Sequence, residues 1–188
     1  MGSSYVTNPI TFLVNTLFGL YILLIMIRFL LATVRADFYN PVSQFIVKVT
    51  NPPIIPLRKL IPSVGKVDTS TLLLMLALQM LSLFLVFLVQ GDIVSFGALL
   101  VRSIAELIAL ALNVFLFSIL ILVIISWISP GTYNPVASLL HSIAEPVLRP
   151  SRRLLPPISG MDFSPILALI AIQLTKMLVL PPLYHLGQ

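Results

Sequence analysis

Two histidines, six carboxylates and eleven basic side chains are all that 188 residues offer to acid–base or metal chemistry, and there is no cysteine. His141 and His185 lie far apart and, on the topology derived below, on opposite sides of a membrane, so they cannot share a metal or form a base–nucleophile pair. His-x-x-x-His, a P-loop and a glycine-rich phosphate turn are all missing. Without cysteine there are no thiolate metal sites and no disulfides. Catalytic, cofactor-binding and metal-ligating residues are therefore expected to be absent, and the chain is read as a non-enzyme. Asp68 and Asp162 could in principle relay protons. Each instead opens an apolar run, in Asp68-Thr69-Ser70 and Asp162-Phe163-Ser164-Pro165, where side-chain oxygens cap a helix and Pro165 suits its first position.

The remaining polar chemistry falls into two sets. Gln79, Gln173 and Lys176, with Arg28, Asn113 and Glu106, interrupt apolar segments, and intramembrane polar groups mark either a path or a packing contact. Arg28 is near enough to a segment end to snorkel, and Arg102 and Glu106, four apart, can pair locally. Arg58-Lys59 and Arg152-Arg153, with Arg149 nearby, form cationic pairs followed by apolar pairs, a pattern suited to anionic lipid head groups or a partner surface.

What must position these residues is a membrane bundle. Hydrophobic residues make up 59%, charged residues only 9%, and mean hydropathy is +1.09, whereas a soluble domain runs near one quarter charged. A net charge of +5 is far too small for a nucleic-acid surface and reads first as an orientation signal. Four runs can each supply the ~20 apolar residues that a ~30 Å hydrocarbon core requires. They predict spanning helices at 11–31, 72–89, 107–128 and 166–183. The first run lacks a positive n-region and is read as a retained anchor.

A shift of 94 superimposes the chain on itself without a gap. Tyr39-Asn40-Pro41 falls on Tyr133-Asn134-Pro135, Arg58 on Arg152, Asp68 on Asp162 and Gln79 on Gln173. The fold class is thus an all-α membrane protein of four transmembrane helices in two parallel tandem repeats. The expected division is a first repeat over 1–90, a connector over 91–106 and a second repeat over 107–188. The loops between paired spans hold Arg35, Lys48, Arg58, Lys59, Lys66, Arg149, Arg152 and Arg153, eight of the eleven basic residues, so they are expected in the cytoplasm with both termini outside.

Each loop opens with an asparagine N-cap and a proline at N1. Val42, Phe45, Ile46 and Val49, and then Val136, Leu139, Leu140 and Ile143, form the apolar face of a short amphipathic helix, either at the interface or against the bundle. Pro52, Pro53 and Pro56, and Pro146 and Pro150, are expected to end these helices in a stiff connector.

Asp37-Phe38-Tyr39-Asn40-Pro41, the Pro-x-x-x-Pro-x-Arg-Lys/Arg-x-x-Pro pattern and Gly160-Met161-Asp162-Phe163-Ser164-Pro165 together resemble the YggT family of small bacterial inner-membrane proteins and its plastid relatives. The resemblance spans nearly the whole chain, departing where Thr71 stands for Pro165 and Asn51-Pro52-Pro53 for Glu145-Pro146-Val147. It implies a multi-pass protein of the bacterial inner membrane without known catalysis, in a family linked to cytochrome-complex maturation, septum or nucleoid organisation, and osmotic or ion tolerance. A scaffold or assembly role is expected, with lipid head groups and another membrane complex as partners. The alternative is a component of osmotic or ion transport.

Overall fold

The computed structural model describes residues 3–62, 68–128, 134–155 and 162–187, and side chains from residue 8 onward. Six helices follow one another: α1 Ser3–Thr33, α2 Pro41–Leu60, α3 Thr69–Gln90, α4 Phe96–Ile128, α5 Pro135–Leu154 and α6 Ser164–Leu186. Four of them, α1, α3, α4 and α6, are long and apolar enough to cross a membrane. The tandem organisation is visible in the packing. In each half the two spans lie against each other, and the intervening helix, α2 or α5, lies against both. The halves join through α3 on α4, with α1 also touching α4 and α5, and α2 touching α5. The reciprocal contact of α6 with α1 does not form among the described residues, so the joint is one-sided.

Three expectations are corrected. The prolines do not end α2 and α5, which run to Leu60 and Leu154. Pro52, Pro56, Pro146 and Pro150 all lie on the exposed side, so the carbonyls that lose an amide partner face outward, where water or head groups can replace it. The apolar face of α2 is also rotated: Ser43, Ile46, Thr50 and Ile54 are buried, whereas Phe45 is exposed. Thr50 can be buried because its hydroxyl donates to the Ile46 carbonyl at 2.6 Å. Finally, α4 begins at Phe96, not Leu107. Ser95 starts it, its hydroxyl accepting from the Ala98 amide at 3.2 Å, and Arg102 is no obstacle. The Arg102 guanidinium lies 5.4 Å above the Phe87 ring, and no ion pair with Glu106 forms among the described residues.

One buried cluster unites the halves, with Ile25, Met26 and Leu30 of α1, Ile46 and Ile54 of α2, Met75 of α3, Val114 of α4, and Leu139 and Ile143 of α5. A second, Ile119, Ala144, Leu148, Ala168 and Ile172, belongs to the second half. Many buried positions on the spans are small: Ser70, Ser82, Ser103, Ala105, Ser118, Ser164 and Ala168. Lipid tails are as apolar as leucine, so helices associate there by close packing, which small residues permit.

Candidate functional site

The motif residues converge on the end of the bundle where α2 and α5 lie side by side. Asn40 Oδ1 accepts from the Val42 amide at 2.9 Å, and its Nδ2 donates to the Pro135 carbonyl at 2.8 Å. The first cap thereby reaches across to the start of the second repeat's helix. Asn134 caps α5 in the same way, accepting from Val136 at 2.9 Å. Pro41 and Pro135 occupy first-turn positions. Tyr39 is exposed and meets Phe38 edge-on, with ring centroids 6.1 Å apart. Its repeat mate Tyr133 lies outside the described residues.

The two aspartates cap their helices differently. Asp68 stands at the N-cap of α3 and accepts from the Thr71 amide at 3.3 Å and the Thr71 hydroxyl at 2.7 Å. Asp162 cannot do this, because Pro165 stands where Thr71 does and has no N–H. It accepts instead from the Ser164 amide at 2.9 Å, and the N-cap of α6 passes to Phe163. That corrects the expected placement of Asp162 and Pro165 by one position.

Both aspartates also hold an arginine from the end of the preceding helix. Arg58 donates to Asp68, and Arg152 to Asp162 at 3.3 Å and to Glu145 at 2.9 Å. Each clasp closes the turn between platform helix and next span. Burial alone would raise the Asp68 carboxyl, but the hydrogen bonds from Arg58 and Thr71 outweigh it and hold the group below the usual carboxylate range. Asp162 is likewise lowered, burial being overcome by Ser164 and then Arg152. Burial would lower the Arg152 guanidinium, yet Glu145 and Asp162 raise it. Depressed aspartates stabilise the fold fully above their unfolded pKa, about 3.9, and lose that contribution as pH falls through the folded value. Both clasps are part-exposed, so a double-mutant cycle of Arg58→Gln with Asp68→Asn is expected to give a coupling of only about 0.5–1 kcal/mol in unfolding titrations near pH 7, fading below pH ~4.

Of the five cations expected at lipid or a partner, Arg58 and Arg152 are thus engaged within the chain, and Lys59, Arg149 and Arg153 point outward. Within the bundle, Lys176 Nζ donates to Asn113 Oδ1 at 2.8 Å, tying the middle of α6 to the middle of α4. Gln79 is half-buried and Gln173 exposed, and α3 and α6 do not pack together, so the two glutamines do not meet within one chain. Arg28 turns inward against α2: it is 8% exposed, and its Nη1 donates to Thr50 Oγ1 at 2.7 Å and the Val47 carbonyl at 3.4 Å. The partnership of Arg28 with α2 escaped the sequence reading. The available signal was Thr50, a small polar residue in line with Ile46 and Ile54.

Comparison with known proteins agrees with this architecture. The CCB3/YggT family pattern matches twice, over residues 7–89 and 101–183. An uncharacterized protein of Pseudomonas aeruginosa is 45% identical over 171 residues, covering 90% of this chain and 87% of its own. One from Vibrio alginolyticus is 41% identical over 174 residues, covering 92% and 94%. The uncharacterized protein YggT of Escherichia coli K12 is 38% identical over 172 residues, covering 90% and 88%. No solved structure matches the chain. With both repeats matched and the shared identity extending across nine-tenths of its length, the chain belongs to the CCB3/YggT family.

Proposed function

We propose that this protein is a non-catalytic scaffold of the bacterial inner membrane, docking another membrane complex on a cytoplasmic platform made by α2 and α5, with both termini outside. The observation that carries this reading is the Asn40 bond to the Pro135 carbonyl, which joins the two repeated loops into one surface. From that surface Lys59, Arg149 and Arg153 project, suited to acidic partner groups and anionic head groups.

The absence of native cysteine makes the test clean. Lys59→Cys and Arg153→Cys are expected to resist an impermeant maleimide in intact cells and to form one reproducible, stoichiometric crosslink to a membrane protein. Asp92→Cys, in the outer connector, is expected to label from outside and to lack that crosslink. External labelling of the platform positions overturns the orientation, and crosslinking no stronger than at Asp92 overturns the scaffold.

A second reading, a component of osmotic or ion transport, has the Lys176–Asn113 pair in its favour. Asn113 borders a cavity of about 470 Å³ between α1, α2, α4 and α5. The rest of that wall is apolar apart from Ser118, which already donates to the Val114 carbonyl, so it offers an ion little to replace its hydration shell. Absence of a partner together with a flux abolished by Lys176→Met would favour this reading over the scaffold.

A further inference from the structure

Among the described residues, no carboxylate reaches the buried charge of Arg28 at ion-pair distance. Its two hydrogen-bond partners, Thr50 Oγ1 and the Val47 carbonyl, are neutral, and no ion pair among the described residues involves it. A cation withdrawn from water is costly unless an anion pairs with it directly, so an anion brought to hydrogen-bond distance would stabilise Arg28. Arg28 lines a cavity of about 550 Å³ between the end of α1 and α2, and two further arginines, Arg35 and Arg58, line the same space. Arg58 spends one donor group on Asp68 and has others to offer.

Two more features mark this cavity as built. Ser43, another wall residue, is 5% exposed, and its hydroxyl has no hydrogen-bond partner. Arg35 sits at φ 54 in the left-handed turn that closes α1, with the Arg35 amide on the Ala32 carbonyl and the Ala36 amide on the Leu31 carbonyl. That turn position favours glycine, and a side chain there is strained. The chain holds a guanidinium where backbone preference would remove it.

The second repeat shows what is missing. Glu145 there supplies a carboxylate to Arg152, whereas its mate in the first repeat is the neutral Asn51, which lines the cavity. The mates of Arg28 and Ser43 are Leu122 and Ala137, so the second half has fewer cationic and hydroxyl groups to satisfy. We propose that the Arg28–Arg35–Arg58 cavity binds the phosphate of an anionic phospholipid, which occupies the role that Glu145 plays in the other half. Guanidinium forks match phosphate oxygens, the Ser43 hydroxyl adds a donor, and apolar wall residues such as Leu31 and Ile55 suit the start of an acyl chain. The cavity shares with the proposed docking platform only the assumption that α2 lies at the head-group layer. Neutralising Lys59, Arg149 and Arg153 tests the platform and leaves this cavity intact.

The test uses the purified, delipidated full-length chain in neutral detergent, melted with added phosphatidylglycerol, phosphatidylcholine or inorganic phosphate. The wild-type melting temperature is expected to rise with phosphatidylglycerol and not with phosphatidylcholine. Asn51→Glu, which supplies the carboxylate from within, is expected to melt higher than wild type without lipid and to respond no further. Arg35→Gly relieves the strained turn, so it keeps the fold and is expected to bind phosphatidylglycerol about tenfold more weakly. A rise with inorganic phosphate alone, lost in Asn51→Glu, keeps the phosphate site and makes the free anion its ligand. No response to either anion, or a wild-type response in both variants, overturns the proposal.

Discussion

Asn113→Leu is expected to destabilise the protein by about 2–3 kcal/mol, the scale of cost for a lysine without a partner at mid-bilayer. The substitution adds apolar surface in an apolar setting and on hydropathy alone would look favourable. Its cost arises because Lys176 Nζ loses the acceptor that it reaches at 2.8 Å. Lys176→Met, which removes the ammonium instead, is expected to be neutral or stabilising, and the double variant to recover most of what Asn113→Leu loses. Reversible unfolding in mixed micelles measures all three. Additive effects would mean that the two side chains do not interact.

Ile54→Ala is expected to cost about 2–4 kcal/mol, whereas Phe45→Ala on the same helix should cost less than about 0.5 kcal/mol. Ile54 is 0% exposed and lies beyond two prolines, in the cluster that unites the halves. Phe45 is exposed to lipid or the interface, where losing a ring empties no packed volume. If the segment after Pro52 were a loose connector, the order of the two effects would reverse. Unfolding midpoints of the two variants decide between these pictures.

The same contrast shows how much of the molecule could be read in advance. The four spans and the repeat were legible because each rests on a long signal: a mostly apolar run long enough to cross a bilayer, or a register of 94 held across a whole loop. Asn40 and Asn134 were legible as caps because the proline after each fixes where the helix starts. The continuation of α2 was not, since a helix passes through a proline more readily where the orphaned carbonyls face outward, and sidedness depends on the bundle. Asp162 slipped by one position because a single missing N–H at Pro165 redirected its bond. The pairing of each arginine with the aspartate ten residues on was visible in both copies. Reading the basic pairs as outward-facing hid it.

The bond from Asn40 to Pro135 also has a meaning in time. A ribosome makes the first half before the second, and domains fold as they emerge. The Asn40 side chain, 3% exposed in the finished fold, therefore waits while 95 residues are added before its acceptor exists. Until then α2 stands without its neighbour, and the unfinished chain presents half a surface. Any factor that recognises α2 and α5 together would therefore engage completed molecules and pass over nascent or truncated ones.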